Sequence, residues 1–176
     1  MVRPYLIWAL ALLGCTAVSV QAQERATANI INAAGETVGT ATITPTVRGT
    51  GVLINITLKG LPVGTHALHI HSVGKCDKPD FTSAGGHFNP GMKEHGTANP
   101  KGAHAGDLPN IELLGRGDDH VSMAMGGVTL TPGPNSLFHP GGTALVIHAN
   151  PDDNKTDPAG NAGARIACGV IEKAGA

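Results

Sequence analysis

The amino-acid sequence predicts an all-β protein of about eight short antiparallel strands, folded as a sandwich or barrel. Short segments that alternate apolar and polar residues follow one another, with turn residues between them. No segment carries a sustained apolar stripe with the 3.6-residue period of a helix. The chain is also rich in glycine, with 25 of 176 residues, and poor in aromatic residues, at 3%. Together these features favour strands over helices.

Strand periodicity is clearest at residues 52–58, where branched apolar residues occupy every second position. A strand with one buried face gives this pattern because successive side chains point to opposite faces. Turn residues separate the segments, as in Pro132-Gly133-Pro134-Asn135. The predicted strands cover residues 27–32, 40–44, 52–58, 66–73, 111–114, 121–130, 143–148 and 165–171.

Residues 1–22 are predicted to be a signal peptide. One positive charge, Arg3, precedes an apolar run, and Val20-Gln21-Ala22 has the small-x-small pattern of a cleavage site before Gln23. The run of about 16 apolar or small residues is shorter than the ~20 that a membrane-spanning helix needs. An alternative is a lipobox at Leu12-Leu13-Gly14-Cys15, which would attach the protein to a membrane through Cys15.

The mature chain, residues 23–176, is predicted to be one exported domain, periplasmic or otherwise outside the cytoplasm. Removal of residues 1–22 also removes Cys15 and leaves Cys76 and Cys168 as a pair, which predicts a disulfide in an oxidising compartment. Arg3 leaves with the same segment, so 11 basic residues face 13 acidic ones and the formal charge is −2. This balance gives no basic surface for nucleic acid.

Six of the nine histidines lie between His66 and Asp107. His69 and His71 are two residues apart, so an extended strand places both rings on one face, where they can share a metal. The residues that follow are rich in glycine and proline, which is typical of a loop. Because long loops without secondary structure are uncommon and usually functional, the segment predicts a loop that is ordered by a bound metal.

Two donor sets emerge from this segment. His87, His95, His104 and Asp107 supply three imidazoles and a carboxylate, which suits tetrahedral zinc. His69 and His71 need other partners, and His148 offers an imidazole at the end of an apolar strand. An all-imidazole set suits Cu(II). Alone, however, a pair such as His69 and His71 is often two unrelated surface histidines.

The motifs together resemble those of the copper/zinc superoxide dismutases, from about Thr27 to the end of the chain. With the signal peptide, the chain resembles the bacterial periplasmic members. The motifs that carry the resemblance are Gly64-Thr65-His66-Ala67-Leu68-His69-Ile70-His71, Gly85-Gly86-His87-Phe88-Asn89-Pro90, Glu94-His95-Gly96, His104-Ala105-Gly106-Asp107, Val146-Ile147-His148 and Gly160-Asn161-Ala162-Gly163-Ala164-Arg165-Ile166-Ala167-Cys168-Gly169.

The resemblance implies an eight-stranded antiparallel Greek-key sandwich or barrel, with a long metal-binding loop and a second active-site loop. It implies dismutation of the superoxide anion to oxygen and hydrogen peroxide, as copper cycles between Cu(II) and Cu(I). It also implies a bridging imidazolate at His87, a family disulfide between Cys76 and Cys168, and a homodimer as a possible assembly. The implied copper ligands are His69, His71, His87 and His148, and the implied zinc ligands are His87, His95, His104 and Asp107.

Two further roles follow from the resemblance. Asp152 matches an acid that links a zinc ligand to a copper ligand, and such acids fix the tautomer and orientation of metal-bound rings. Arg165 matches the arginine that binds superoxide beside copper. The segment between His148 and Arg165 is shorter than in eukaryotic members and lacks the acidic pair that precedes their substrate-attracting lysine, and Lys155 is a candidate for that lysine.

The remaining histidines and methionines are predicted to have structural or solvent-exposed positions. Strand parity places His66 on the face opposite His69, while His120 and His139 adjoin turn residues and are expected to be solvated. Met123 and Met125 alternate in a strand, which favours core packing over copper binding.

A competing hypothesis is a copper/zinc buffer or a metallochaperone-like domain without catalytic activity. It predicts that ligands or the anion-binding arginine are missing, and all are present in the sequence.

Overall fold

Seven strands form one antiparallel sheet, and two shorter strands form a second. The computed structural model describes residues 24–47 and 49–175, so the predicted signal peptide and Cys15 lie outside the described residues. Within the described ranges, no helix is long and apolar enough to cross a membrane. The strands are β1 (Ala26–Asn32), β2 (Thr37–Pro45), β3 (Gly51–Leu58), β4 (Gly64–His66), β5 (Leu68–His71), β6 (Ile111–Leu113), β7 (Asp119–Gly126), β8 (Thr143–His148) and β9 (Arg165–Lys173).

The strand order in the large sheet is β5-β8-β9-β1-β2-β3-β7, and β4 pairs with β6. Strands that are distant in sequence are therefore neighbours, as β1 is with β9 and β5 is with β8. The large sheet curls into a half-barrel, and the predicted all-β antiparallel class is confirmed. β5 is an edge strand of this sheet.

The core lies on one face of the sheet because the strands alternate as predicted. In β3, Val52, Ile54, Ile56 and Leu58 are at most 2% exposed, whereas Asn55 points to solvent. In β7, Met125 is buried and Met123 packs against the same apolar cluster, as predicted.

The chain changes sheets at Ala67, so residues 24–175, apart from residue 48, contain nine strands where the sequence predicted eight. Residues 66–73 were expected to form one strand, but β4 pairs with β6 whereas β5 pairs with β8. At the crossing, the N–H of Ala67 donates to the carbonyl oxygen of Asn150 and its own carbonyl accepts from the N–H of His148, both at 2.9 Å. These two bonds satisfy the backbone where it leaves one sheet for the other.

The predicted strand at residues 121–130 is shorter than expected. β7 ends at Gly126, and Gly127 has a φ of +77°, in the left-handed region that breaks the strand.

A disulfide joins Cys76, which follows β5, to Cys168 on β9, as predicted. The two cysteines are 92 residues apart in sequence. Closing a loop of that size removes unfolded-state entropy worth about 4–5 kcal/mol in the chain-entropy model. The metal-binding loop comprises residues 72–110, between β5 and β6. The disulfide also fixes the beginning of this loop against β9, the strand that carries Arg165.

Candidate metal centre

The metal-binding loop is held along the free edge of β5 by backbone hydrogen bonds. Ile70 donates to the carbonyl of Gly106 at 2.9 Å and accepts from the N–H of Phe88 at 2.8 Å. Gly106 in turn donates to the carbonyl of Phe88 at 2.8 Å. A Cβ on Gly106 would lie 2.2 Å from the oxygen of Ile70, so this close approach requires glycine.

This pairing brings loop residues beside the histidines of β5. His71 lies opposite His87, and His69 lies opposite Asp107, in isolated antiparallel bridges. On β5 itself, Leu68 and Ile70 join the apolar core, while His69 and His71 lie on the other face, as the spacing of two predicts. On the other edge of β5, β8 ends at His148.

Four imidazoles form the first cluster. The potential ligand atoms of His69, His71, His87 and His148 all lie within 4.8 Å of one another. His71 donates from Nδ1 to the carbonyl of Gly85 at 2.9 Å, and His148 donates from Nδ1 to the carbonyl of Gly163 at 3.3 Å. A carbonyl only accepts, so in each neutral ring Nε2 carries the lone pair.

The orientation of these rings fits a cation. The lone-pair nitrogens Nε2 of His71 and His148 face each other at 3.4 Å, which is unfavourable unless a positive charge lies between them. Nδ1 of His69 and Nε2 of His87 are buried without a hydrogen-bond partner. Buried polar atoms normally have a partner, so these two atoms fit the place of metal ligands.

Burial keeps three of these imidazoles neutral. Desolvation, which penalises the charged form, lowers the pKa of His71 to about 2, that of His148 to about 3 and that of His87 to about 4. Neutral imidazole is the form that binds a metal.

A second cluster surrounds Oδ1 of Asp107. The Nδ1 atoms of His87, His95 and His104 lie 2.9, 3.1 and 3.2 Å from this oxygen. Oδ2 accepts hydrogen bonds from the backbone N–H groups of Gly96 and His104, at 2.9 and 3.0 Å. Burial by itself raises the pKa of Asp107, but the hydrogen bonds from His87 and Gly96 outweigh it and hold that pKa well below its usual range.

The ligand atoms of His69, His87, His95 and Asp107 also lie within 4.8 Å of one another, so geometry alone allows His69 in place of His104. The hydrogen bonding of His69 favours its assignment to the all-imidazole cluster instead. Its Nε2 donates to Oδ2 of Asp152 at 2.8 Å, so the lone pair is on Nδ1. This Nδ1 atom is available to a metal in the all-imidazole cluster. His104 has its Nδ1 3.4 Å from Nδ1 of His87.

Asp152 connects the two clusters through hydrogen bonds to one ring of each. Its Oδ2 accepts from His69 and its Oδ1 accepts from Nε2 of His95 at 3.0 Å. Burial raises the pKa of Asp152, but the hydrogen bonds from these two rings lower it more, so the side chain is a carboxylate. One carboxylate therefore sets the tautomer of a ring in each cluster.

Several residues that support the centre could not be recognised from the sequence. The side-chain amide of Asn110 exchanges two hydrogen bonds with the backbone of Asp152, at 2.8 and 2.9 Å. Asp157 accepts from the N–H of His95 at 2.6 Å. Gly160 leaves room for Asp152, because a Cβ there would lie 1.8 Å from Oδ1. These contacts cross between loops that are distant in sequence, so no local pattern announces them.

Arg165 lies at the start of β9, paired in register with His148. Its Nη1 donates to the carbonyl of Phe81 at 2.6 Å and its Nη2 donates to the carbonyl of Gly85 at 2.7 Å. The carbonyl of Gly85 also accepts from His71, so one oxygen connects the guanidinium to a ring of the first cluster. Arg165 borders a surface cavity of about 440 Å³.

The other histidines lie outside both clusters. The ring nitrogens of buried His66 lie 2.8 Å from the carbonyl oxygen of His148 and 2.9 Å from that of Pro62, which is a structural position. His120 is exposed on β7, as expected.

The expectation that His139 is solvated was wrong. Its ring is half-buried and stacks on Phe88, with the centroids 5.2 Å apart, because the turn that carries it packs against the metal-binding loop. Lys155 is exposed.

The fold and the paired clusters define a β-sheet metalloprotein with a nitrogen-rich site for two metals. The family model for copper/zinc superoxide dismutase matches residues 37–171. The chain is 54% identical to superoxide dismutase [Cu-Zn] 1 of Aquifex aeolicus, over 86% of this chain and 90% of the relative. It is 43% identical to superoxide dismutase [Cu-Zn] of Caulobacter vibrioides, over 84% of this chain and 85% of the relative.

A solved structure supports the same family. A superoxide dismutase-like protein from Bacillus subtilis superimposes with a TM-score of 0.79 at 40% identity, covering 83% of this chain and 97% of that protein. The chain belongs to the copper/zinc superoxide dismutase family. It is an oxidoreductase that uses copper and zinc to convert superoxide to oxygen and hydrogen peroxide, and the hypothesis of a buffer without activity is not favoured.

We expect the metal-free protein to lose stability as the pH falls from 7 to 4. The pKa values of His71, His87 and His148 are lowered to about 2, 4 and 3, against 6.5 for an unperturbed histidine. Below pH 6.5 the unfolded chain therefore binds more protons than the folded chain, which favours unfolding. Each such histidine contributes a loss of up to about 1.4 kcal/mol per pH unit.

Urea unfolding of metal-free protein at pH 7, 6 and 5 measures this slope. The exposed His120 provides a matched control, because His120→Ala should keep the slope while His71→Ala should reduce it. Equal stability of the unmodified metal-free protein at pH 7 and 5 would contradict the expectation.

Proposed function

We propose that His69, His71, His87 and His148 bind copper, and that His87, His95, His104 and Asp107 bind zinc. The observation that carries this assignment is the position of the His87 ring. Its Nε2 is buried without a partner in the all-imidazole cluster, and its Nδ1 lies 2.9 Å from Asp107 in the other. One ring therefore offers a nitrogen to each cluster.

The chemistry of the donors supports the division between the metals. Nitrogen donors suit copper, and three imidazoles with one carboxylate suit a closed tetrahedral zinc site. When bound, copper supplies the one-electron redox couple of the dismutation and zinc supplies a fixed positive charge. Asp152 accepts hydrogen bonds from Nε2 of His69 and Nε2 of His95, and this fixes the tautomer in which Nδ1 of each ring carries the lone pair.

Arg165 is proposed to dock the superoxide anion. Two carbonyl oxygens fix its guanidinium group, which stays charged at neutral pH and has five N–H donors in total. The donors that these carbonyls do not use are available to an anion in the cavity. Burial lowers the pKa of Arg165, but an arginine side chain remains protonated in proteins.

His87 is proposed to handle a proton during the reaction. Dismutation of two superoxide anions to oxygen and hydrogen peroxide consumes two protons. Nε2 of His87 carries a lone pair toward the first cluster and would take up a proton only when it is not bound to copper, while Nδ1 remains directed at Asp107. The ring is 3% exposed, so its orientation does not depend on solvent.

The ligand assignment predicts different losses for different histidines. His148→Ala should abolish copper binding and reduce activity at least 100-fold, but it should leave zinc bound, because His148 belongs to the first cluster alone. His104→Ala should weaken zinc binding instead. Metal analysis of each purified variant and a superoxide-decay assay measure both effects. His120→Ala is the control and should keep both metals, whereas a folded His148→Ala protein without zinc would argue against the assignment.

Substitutions at Arg165 test the docking role. Arg165→Ile should lower the second-order rate with superoxide about tenfold or more, because a charge-assisted hydrogen bond is worth about 1.5–3 kcal/mol, and it should weaken competition by azide. Arg165→Lys should be intermediate, because lysine keeps the charge and loses the planar fork. Copper and zinc contents should be unchanged. If Arg165→Ile matches the unmodified enzyme in rate and azide competition, Lys155→Ala is the next variant to measure.

We also propose that the protein is exported and that residues 1–22 are removed. The disulfide between Cys76 and Cys168 supports this, because such bonds persist in oxidising compartments. The mass of the protein in a periplasmic fraction should correspond to a chain that begins at Gln23. A chain that begins at a lipid-modified Cys15 would show that the alternative, membrane attachment, is correct.

A further inference from the structure

An acidic side chain borders the same cavity as Arg165. Asp80 lies on the segment between the disulfide and the turn Thr82–Ala84, and its neighbour Phe81 provides one of the carbonyls that hold the guanidinium group. The residues that line the cavity are Pro79, Asp80, Thr82, Gly163, Ala164 and Arg165. A negative charge therefore lies on the wall of the cavity that Arg165 also borders.

The carboxylate of Asp80 has a fixed position. Its Oδ1 accepts hydrogen bonds from the N–H of Thr82 at 3.0 Å and from the hydroxyl of Thr82 at 2.8 Å. These bonds lower the pKa of Asp80, so the group is an anion at neutral pH.

No ion pair neutralises this charge. Among the described residues, the lysines and arginines form ion pairs only with Glu94 and Glu24. Asp80 is exposed and acts on Arg165 across the cavity without contact. The arginine keeps its charge and its two carbonyl partners, while an anion in the cavity is also repelled by Asp80.

We propose that Asp80 determines which anions enter the cavity of Arg165. Its carboxylate opposes the attraction of all anions, and it opposes multiply charged anions more strongly than the monovalent superoxide. Coulomb energy is proportional to the product of the charges, so a dianion is repelled twice as strongly as a monoanion at the same place. The inference rests on the proposed docking role of Arg165.

Asp80→Asn removes the charge and keeps the oxygen that accepts from Thr82. At low ionic strength the variant should react with superoxide about two- to fivefold faster than the unmodified enzyme, since one unit charge within a Debye length of the entrance has been removed. Its inhibition constant for sulfate, a dianion, should fall by about the square of the factor found for azide, a monoanion. Both the increase in rate and the decrease in the inhibition constants should become smaller as salt is added.

Asp118→Asn is the matched control. It removes the same charge from an exposed residue beside β7 that lines a different cavity, and it should leave rate and inhibition unchanged. All assays use the copper- and zinc-loaded protein at an ionic strength fixed with sodium chloride, and metal contents are measured for each variant.

The inference is wrong if Asp80→Asn behaves like Asp118→Asn, or if its rate falls. A lower rate would show that Asp80 supports the loop and does not repel anions. Equal gains for azide and sulfate would remove the claim of selectivity. Arg165→Ile separates this inference from the role on which it rests. A slow Arg165→Ile enzyme with an unaffected Asp80→Asn enzyme refutes only the inference, whereas an Arg165→Ile enzyme with normal rate and azide competition refutes the docking role itself.

Discussion

The backbone pairing of the metal-binding loop with the edge of β5 is the constraint on which the rest of the site depends. Ile70 uses both its N–H and its carbonyl for the loop, so residues 86–88 and 106–107 lie beside β5. The histidines of a regular strand thereby face those of an irregular loop at ligand distance. The absence of a side chain at Gly106 is what permits this close approach.

The polypeptide also accepts an electrostatic cost at this place. It buries several imidazoles together with the carboxylates of Asp107 and Asp152, and the pKa values of His87 and of both acids are lowered, so that the His87 ring is neutral and the acids are charged. Lone-pair nitrogens then face one another without protons between them. Metal binding at the proposed sites would offset this repulsion, so the metals would contribute to folding as well as to chemistry.

Much of this organisation could be predicted from the sequence, and the exceptions share a physical cause. The alternation of apolar and polar residues predicted the strands, and the spacing of two predicted that His69 and His71 share a face. Both predictions were possible because strand geometry is local. Donor chemistry separated three imidazoles and a carboxylate from His69, His71 and His148, whereas the sharing of His87 by both sets came from the resemblance to a family. The change of sheet at Ala67, the stacking of His139 on Phe88 and the support of Asp152 by Asn110 depend on segments that meet only in the folded protein. No pattern within a short window contains that information.

The carbonyl of Gly85 accepts from both His71 and Arg165. A single peptide oxygen therefore connects a ring of the proposed copper site to the arginine that is proposed to dock the anion. Because both side chains are held by this main-chain oxygen, a movement of the Gly85 peptide would displace the His71 ring and the Arg165 guanidinium together. A substitution at exposed Asp80 changes the charge beside the cavity, whereas the relative position of His71 and Arg165 depends on a backbone oxygen.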